Sequence, residues 1–376
     1  MKSASTHLTL VAGARPNFMK VAALVHALHE HNRGANTPIT FRLVHTGQHY
    51  DRSMSGSFFE DLGLPAPDAN LGVGSGTHAQ QTAAVLVAFE QDLLAHPARL
   101  VVVVGDVNST LACALAAKKL CVPVAHVEAG LRSFDRSMPE EVNRIVTDQL
   151  SDLLFTPDEG ADENLRREGV PPARIHRTGN VMIDTLLRQR ERARDVHRFD
   201  AFKARGPYGL VTLHRPSNVD DEATLRRLAQ VLGEVAEELP LLLPCHPRTK
   251  ARLQAYGIRL AERITVTEPL SYLDMLNLLA DARVVFTDSG GVQEETTALG
   301  VPCLTLRAST ERPVTVRLGT NVLVGTDPER IRAAFAQVLA GRAAQGAAPP
   351  LWDGRAGERV VRVLADWLAD HAEETV

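Results

Sequence analysis

The stretch Leu100–Val127, LVVVVGDVNSTLACALAAKKLCVPVAHV, decides the fold class of this chain. It begins with a run of five aliphatic residues that has the length of a strand. A polar segment, GDVNST (Gly105–Thr110), leads into a predicted helix over Ser109–Leu120, and a second aliphatic run covers Val122–Val127. Strands that alternate with longer helical patterns are typical of βαβ units and a parallel sheet.

The same alternation extends in both directions along the chain. The other predicted strands are Leu8–Val11, Phe41–His45, Asp152–Phe155, Gly209–Leu213, Leu241–Cys245, Ile264–Val266, Val284–Phe286, Pro302–Leu304 and Val322–Val324. At 376 residues the chain exceeds the size at which one core usually stops growing, so we expect two domains. We predict an α/β protein of two Rossmann-like, doubly wound parallel-sheet domains facing a central cleft. They span residues 1–182, with helix 357–376 packing back on them, and 183–356, with the passage between the halves in Arg188–Pro207.

Composition excludes several classes of protein. Apolar residues make up 44% and charged residues 23%, and the net charge of −4 gives no general attraction to nucleic acid or anionic membranes. Neither a signal peptide nor a membrane helix is apparent, so we expect a cytoplasmic protein without membrane or nucleic-acid partners. The four cysteines lie in apolar contexts without a CxxC pair, which indicates reduced core thiols.

Two Gly-containing turns that lead from a strand into a helix indicate anion binding. GARPNFMK (Gly13–Lys20) combines a turn glycine with Arg15 and Lys20, and DSGGVQEE (Asp288–Glu295) places Ser289, Gly290 and Gly291 at a helix start. Free N–H groups at such starts bind phosphate. Glu295 can hold the vicinal hydroxyls of a ribose. Ordinary capped turns with solvated charges are the alternative, and neither motif is a P-loop or a GxGxxG fingerprint.

Carboxylates at strand ends indicate acid–base chemistry. Asp106 and Glu128 follow successive predicted strands, so they should lie side by side at one edge of the sheet, where ligands of open α/β sheets bind. Glu140 and Glu141 begin a predicted helix, with Arg144 one turn later. Helix capping and surface ion pairs are the alternative, and they fit Glu141 best.

Histidine and arginine follow the strands of the second half. His214–Arg215 and His246–Arg248 each come after a strand, and Arg312 in STERP (Ser309–Pro313) stands at a probable helix start, where Thr310 capping is the alternative. These side chains suit ligand binding better than metal ligation, because no HxxxH or CxxC spacing occurs. We therefore predict no metal site, and the absence of GxSxG disfavours acyl chemistry.

The motifs together resemble those of the non-hydrolysing UDP-N-acetylglucosamine 2-epimerase family. GARPNFMK, TGQHYD, GDVNST, HVEAGLRS, MPEEVNR, TGNVMIDTL, LHRPSNVD, HPRT, DSGGVQEE and STERP occur in that order over about residues 8 to 340. The resemblance implies a B-type glycosyltransferase-like fold and an enzyme of polysaccharide biosynthesis. It would interconvert UDP-N-acetylglucosamine and UDP-N-acetylmannosamine through loss and re-addition of UDP, without a cofactor, as a homodimer, in several cases with an allosteric activator.

The resemblance also implies roles for individual residues. Catalytic positions are matched by Asp106, Glu128, Glu140 and His214. The UDP-sugar site is matched by Arg15, Lys20, Arg144, Ser289, Gly290, Gly291, Glu295 and Arg312, and we assign His246 to it as well. The activator pocket is matched by Gln48, His49 and Gln80.

Three departures and several rival functions remain. Ala14 and Asn17 replace the usual GTRP and its following acid, Ser217 replaces a common acid, and Val314 replaces a frequent Glu, and these departures bear on fine specificity and activator binding. The rivals are a hydrolysing 2-epimerase, an epimerase of a UDP-diacetamido-uronic acid, a glycosyltransferase and a non-catalytic UDP-sugar sensor. The three carboxylates argue against the sensor.

Overall fold

The computed structural model describes residues 6–35, 37–47, 59, 61–344 and 346–371. Contacts divide the chain into two compact units. The first unit comprises Met1–Thr185 and Pro350–Val376, and the second comprises Leu186–Pro349. The chain therefore crosses between the units twice, and the first crossing falls inside a helix.

The first unit contains a parallel sheet of seven strands in the described chain. They are β1 (Thr6–Ala12), β2 (Phe41–His45), β3 (Ala69–Asn70), β4 (Ala98–Val104), β5 (Val124–Val127), β6 (Leu153–Thr156) and β7 (Ile175–Arg177). Their order across the sheet is β3-β2-β1-β4-β5-β6-β7. The direction of winding reverses beside β1, which is the arrangement of a doubly wound sheet and places a ligand-binding crevice at the carboxyl ends of the central strands.

Among the residues that the structure describes, helices connect or cover these strands, and one further helix returns from the end of the chain. The helices are α1 (Arg15–Gly34), α2 (His78–Ala95), α3 (Asn108–Lys119), α4 (Pro139–Leu150), α5 (Glu159–Arg167), α6 (Val181–Arg194) and, far along the chain, α15 (Ala356–Asp370). Helix α15 packs on α1 at Gly357, where an added Cβ would lie 2.8 Å from the carbonyl oxygen of Ala23. The close approach requires glycine and fixes the C-terminal helix to the first unit.

The second unit contains a parallel sheet of six strands. They are β8 (Gly209–Thr212), β9 (Leu241–Pro244), β10 (Ile264–Thr267), β11 (Val284–Thr287), β12 (Cys303–Thr305) and β13 (Asn321–Leu323), in the order β10-β9-β8-β11-β12-β13. Its helices are α7 (Asp200–Lys203), α8 (Pro216–Val219), α9 (Glu222–Glu238), α10 (Pro247–Ala255), α11 (Tyr272–Asp281), α12 (Gly290–Leu299), α13 (Pro313–Arg317) and α14 (Pro328–Leu339). Strand order again reverses beside the first strand, here β8.

The cores explain why these segments fold as strands and helices. The aliphatic run of β4 is buried along its length because helices cover both faces of the sheet, as Val101 and Val103 illustrate. Apolar residues recur on one side of α9, where Leu225, Leu232 and Val235 pack on the second sheet. Hydrophobic periodicity is therefore sufficient to place the central elements.

The α/β fold with two parallel sheets is confirmed, and the expectation of core thiols is wrong for one cysteine. The short edge strands β3 and β7 were not predicted. The segment Arg188–Pro207, predicted as the passage between the halves, is partly helical, since α6 continues to Arg194 and α7 lies within it, and the two units divide just before it, between Thr185 and Leu186. Three cysteines are buried, but Cys121 is exposed at the turn after α3. None of the described helices is both long and apolar enough to cross a membrane.

Candidate active site

Asp106 and Glu128 follow neighbouring parallel strands of the first sheet. Strands β4 and β5 pair with Val104 opposite Val127, and the Gly105 N–H donates to the Val127 carbonyl oxygen (3.0 Å). Glu128 has a φ of 72°, a left-handed conformation that is costly for a residue with a Cβ and that concentrates at functional sites. The two strand ends thus bring both carboxylates to one edge of the sheet.

Lys20 and Glu128 form a buried ion pair. The Lys20 ammonium donates to Glu128 Oε2, and the two residues are 4% and 6% exposed. Gly105 has a φ of 68°, and a Cβ on it would lie 2.8 Å from Lys20 Nζ and 3.3 Å from Glu128 Oε2. Only glycine fits there, because it tolerates the positive φ and leaves room for the ion pair.

Arg144 binds two carboxylates at once. Its Nη1 lies 2.5 Å from Asp106 Oδ2, while its Nε and Nη2 donate to Glu141 Oε2 at 3.0 and 2.6 Å. Burial alone would raise the pKa of Glu141, but N–H donors from Ser133, Arg144 and Phe134 outweigh burial and lower it. Glu141 therefore fixes Arg144 and the loop after β5, and its pairing is buried, whereas surface pairing was expected.

Glu140 differs from its neighbour. It lies in the first turn of α4, half-buried, and it makes no hydrogen bond or ion pair with another of the described residues. Arg15 begins α1, but its side chain is outside what the structure describes.

Asn17 has a structural reason to be an amide. Its Oδ1 accepts from the Ala14 N–H (2.9 Å), and its Nδ2 donates to the Val104 carbonyl oxygen (2.7 Å), so it joins the start of α1 to the end of β4. An ionised aspartate could not donate the second bond. Asn17 therefore ties the helix that carries Lys20 to the strand end that precedes Asp106.

The start of α12 in the second unit carries the DSGG motif. Ser289 is the N-cap residue without a side-chain cap, and Gly290 and Gly291 form the first turn. A Cβ on Gly290 would lie 2.5 Å from Arg312 Nη1, so the guanidinium rests against this turn. The backbone N–H groups of a first helical turn, the positive end of the helix dipole and an arginine together suit a phosphate group.

Glu311 gathers three arginines behind that turn. Its carboxylate lies 2.6 Å from Arg312 Nη1, 2.8 Å from Arg307 Nη2 and 3.4 Å from Arg215 Nη2. Burial would raise the pKa of Glu311, but the three guanidinium groups lower it far below its usual range. Glu294 adds a second carboxylate 3.0 Å from Arg312 Nε. Three guanidinium groups and two carboxylates thus form one buried network behind the turn.

His214 is oriented by a buried aspartate. Its Nδ1 lies 2.9 Å from Asp288 Oδ1, while the backbone N–H groups of His214 and Arg215 also donate to that carboxylate. Burial opposes the charge on Asp288, yet these contacts lower its pKa. His246 caps α10, and its ring centroid lies 5.7 Å from that of His214.

Glu295 lies one and a half turns into α12 and is 6% exposed. Burial is the main cause that raises its pKa to about 8, with a further contribution from neighbouring Glu294 and an opposing one from Tyr272. A protonated Glu295 can donate as well as accept a hydrogen bond. The role of Glu295 in holding the hydroxyls of a ribose stays a prediction.

Of the three candidate activator residues, the structure describes Gln80. Gln48 and His49 lie outside the described residues. Gln80 is exposed and accepts the Thr77 N–H through Oε1 (3.1 Å) in a capping box at the start of α2. The activator role of all three stays a prediction. No group of three or more potential metal ligands occurs in the described part of the chain.

Sequence reasoning missed the partners that hold the site. Glu311 and the Asp288–His214 contact were not predicted, although Asp288 occupies the same strand-end position as Asp106 and could have been found by that analogy. Lys20, Asp106, Glu128 and Arg144 come together in the first unit. Gly290 and Arg312 come together in the second.

Comparison with known proteins places this geometry in one family. Residues 31–365 match the family model described as UDP-N-acetylglucosamine 2-epimerase. The chain is 42% identical over 367 residues to the UDP-N-acetylglucosamine 2-epimerase of Methanocaldococcus jannaschii, covering 95% of this chain and 98% of that protein. The crystal structure of that enzyme in complex with UDP-GlcNAc and UDP superposes with a TM-score of 0.88 at 42% identity, covering 96% of this chain and 99% of the other.

A second relative has the same level of similarity and a different name. The chain is 42% identical over 369 residues to the UDP-2,3-diacetamido-2,3-dideoxy-D-glucuronate 2-epimerase of Pseudomonas aeruginosa, covering 95% of this chain and 99% of the relative. Overall sequence identity therefore does not decide which of the two nucleotide sugars is the substrate of this chain.

Proposed function

The chain belongs to the UDP-N-acetylglucosamine 2-epimerase family, and on that premise we propose that it reversibly inverts C2 of UDP-N-acetylglucosamine to give UDP-N-acetylmannosamine. One observation carries the proposal. Two strand-end carboxylates, Asp106 and Glu128, lie at adjacent positions of one sheet edge and each contacts a buried cation. Mere binding of a nucleotide sugar would not require such a pair.

The chemistry requires removal of a proton that no carbonyl group acidifies. Loss of UDP solves this problem, because cleavage of the C1–O bond gives C1 cationic character. A carboxylate then takes the C2 proton, and the C2–H electron pair forms the C1=C2 bond of a 2-acetamidoglucal. Protonation of C2 on the opposite face and attack of the UDP oxygen on C1 complete the inversion, so two acid–base groups are needed.

The cations support this assignment of roles. Lys20 and Arg144 hold the carboxylates of Glu128 and Asp106, respectively, through direct ion pairs, which fixes both groups in place at the sheet edge. Carboxylates also stabilise a sugar with oxocarbenium character. Glu140 has no fixed partner within the described chain, and we assign to it the second proton transfer.

The second unit would hold the nucleotide. The first turn of α12 with Ser289 and Arg312 suits the pyrophosphate, whose negative charge grows as it leaves. His214, oriented by Asp288, is suited to donate to the departing phosphate oxygen. Glu295 and His246 are proposed to contact the rest of UDP.

Product analysis tests the proposal. The purified protein is incubated with UDP-N-acetylglucosamine, and nucleotide sugars are separated by chromatography. We expect UDP-N-acetylmannosamine to accumulate to an equilibrium that is also reached from the other side. Release of free N-acetylmannosamine with UDP would instead indicate a hydrolysing enzyme, and an unchanged substrate would exclude this sugar.

The Pseudomonas aeruginosa relative supports a second candidate, C2 epimerisation of a UDP-2,3-diacetamido-2,3-dideoxyglucuronic acid. The same assay with both sugars separates the candidates through the ratio of kcat/KM values. We expect the ratio to favour UDP-N-acetylglucosamine. A preference of more than tenfold for the uronic acid would reverse the assignment while keeping the reaction type.

A further inference from the structure

Gln293, in the DSGGVQEE motif, is the centre of a hydrogen-bond network in the second unit. It lies on α12, one turn after Ser289, and its side chain is inaccessible to solvent. Its Nε2 donates to the Ser289 carbonyl oxygen at 3.1 Å, and its Oε1 accepts from the Thr310 hydroxyl at 2.6 Å and from Asn321 Nδ2 at 3.0 Å. These bonds join the start of α12, the STERP segment and strand β13.

A second buried amide, Asn321, extends the network. Asn321 begins β13 and is 2% exposed. Its Nδ2 donates to the Thr315 hydroxyl at 3.1 Å as well as to Gln293, and its Oδ1 accepts from the Thr305 hydroxyl. The two amides are therefore bonded to each other, and each holds a threonine of the segment that carries Arg312.

The Ser289 carbonyl decides the orientation of both amides. A carbonyl oxygen has no hydrogen to donate, so the Gln293 atom that faces it is the nitrogen. Gln293 Oε1 then faces Asn321, which must present its own nitrogen. Reversal of either amide, or of both, would place two acceptors against each other. The network consists of amides and hydroxyls, so its hydrogen-bond directions do not vary with pH.

Two of the hydroxyls hold the backbone of Arg312 from both sides. Thr310 Oγ1 accepts from the Arg312 N–H at 3.0 Å, and the Thr315 hydroxyl donates to the Arg312 carbonyl oxygen at 2.8 Å. Each hydroxyl makes its other hydrogen bond to one of the two amides. The amide pair therefore fixes the backbone from which the guanidinium reaches the Gly290 turn.

The ion pairs of Arg312 act on a different part of the residue. Glu294 and Glu311 hold the guanidinium end of the side chain. Glu311 precedes Arg312 in the STERP segment and moves with it, so Glu311 does not tie that segment to α12. Glu294 ties the side chain to α12, and Gln293 ties the backbone to α12 through Thr310.

We propose that Gln293 is a positioning residue which, with Asn321, holds Arg312 at the first turn of α12 for the diphosphate of the nucleotide. A buried polar network whose members are all bonded is rigid, and a site held rigid before binding loses less entropy when the ligand arrives. The inference rests on the proposed function, because that proposal assigns Arg312 and this turn to the pyrophosphate. It does not depend on the sugar or on the inversion at C2.

Calorimetric titration with UDP tests the proposal without any sugar. Gln293→Met keeps a side chain of similar length and removes its hydrogen bonds. We expect the Kd for UDP to rise about tenfold or more, the equivalent of one lost charge-assisted hydrogen bond. Thr297→Val is the matched control on the same helix, since Thr297 is 3% exposed and its hydroxyl makes no hydrogen bond within the described chain. The control should keep the wild-type Kd.

A second pair of variants tests the hydroxyl that lies between Gln293 and Arg312, and it keeps the question open to test if Gln293→Met does not fold. Thr310→Val removes the hydroxyl and nearly preserves the shape, so the Kd for UDP should again rise about tenfold. Thr310→Ser keeps the hydroxyl and should bind UDP within about threefold of the wild type. Equal loss of affinity in both Thr310 variants would contradict a route through this hydrogen bond.

A double-mutant cycle separates positioning from a general loosening of the second unit. In an Arg312→Gln background, Gln293→Met should raise the Kd for UDP less than about threefold, because the residue through which it acts has been removed. An equal increase in both backgrounds, or a wild-type Kd in folded Gln293→Met, would overturn the proposal.

The same titrations distinguish this proposal from the proposed function. Binding of UDP with the expected variant effects, but without inversion of UDP-N-acetylglucosamine, would refute the proposed function and leave the role of Gln293 intact. A wild-type protein that does not bind UDP would refute the assignment of the phosphate site and the positioning role together.

Discussion

Single residues of the first unit derive their importance from burial. Lys20 and Glu128 are both almost completely inaccessible, so either charge would be strongly destabilising without the other. The lysine therefore has two tasks in our account, which are stability of the turn after β5 and correct placement of the Glu128 carboxylate.

Replacement of Lys20 tests whether the buried ion pair contributes more to stability and rate than a surface ion pair does. We expect Lys20→Met to lower the free energy of unfolding by about 3–5 kcal/mol, because it leaves Glu128 as an unpaired buried charge. The epimerase rate should fall by about 10²-fold or more. Urea unfolding and product chromatography measure both effects.

Lys118→Met is the matched control. Lys118 pairs with Asp152 in the same unit, but about a third of each side chain is exposed. We expect a loss of about 1 kcal/mol or less and an unchanged rate. Equal destabilisation by the two substitutions would contradict the buried-pair interpretation.

Glu295 gives a pH dependence of stability with a definite sign. Its pKa rises to about 8 on folding from an ordinary value of 4.5. Between these two values the unfolded chain has lost this proton while the folded chain keeps it. The contribution of Glu295 is therefore most favourable below pH 4.5, and it is lost as pH rises toward 8 at about 1.4 kcal/mol per pH unit.

Glu295→Gln should remove that dependence, since glutamine does not titrate. In urea unfolding between pH 5 and 8, we expect the stability of Glu295→Gln relative to the wild type to increase with pH. Parallel curves for the two proteins would show that Glu295 is ionised in the folded state.

At the scale of elements, the start of α12 combines a helix terminus with a cationic side chain. Gly290 is the residue at which they meet, and the atoms that a Cβ would strike belong to the ends of the Arg312 and Glu311 side chains. Flexible side-chain ends can move aside more easily than backbone can. A methyl group there should spare the fold and displace the guanidinium.

Gly290→Ala therefore should weaken UDP binding at least tenfold in calorimetric titration, with thermal stability nearly unchanged. Gly233→Ala in α9 is the control in the same unit, because its Cβ would meet only the Ala261 Cβ at ordinary contact distance (3.4 Å). The control should bind UDP normally and gain up to about 1 kcal/mol in stability. Wild-type affinity in Gly290→Ala would exclude Arg312 from the phosphate site.

The elements that sequence reasoning found and missed differ in length and position. Strands such as β4 are aliphatic runs whose burial the pattern reveals directly. Strand β3 has two residues, and β7 has three, IHR, without apolar periodicity, so pairing with an edge of the existing sheet rather than local sequence makes them strands.

At the scale of the whole molecule, the sequence predicts which residues lie at strand ends but not which strand ends are neighbours. Lys20 and Glu128 are 108 positions apart, and His214 and Asp288 are 74 positions apart. Their pairing follows from a strand order that reverses beside β1 and β8. The acid–base and phosphate-binding residue types were predicted from motifs, whereas their ion partners depend on that order.

The family is established for the whole chain, and the named relatives at equal identity differ in the sugar that their names specify. The shared part of the reaction is inversion at C2. The most informative observation is therefore the fate of the C2 hydrogen of the substrate. It tests the reaction whichever of the two relatives shares its sugar substrate with this chain.

The measurement that tests C2 inversion by proton removal most directly is proton NMR of UDP-N-acetylglucosamine incubated with the protein in D2O. Our account predicts that the C2 proton signal is replaced by deuterium in substrate and product as UDP-N-acetylmannosamine appears, and that Glu128→Gln slows both changes together. Appearance of the epimer with its C2 proton retained would contradict the elimination mechanism and the acid–base roles of Asp106, Glu128 and Glu140.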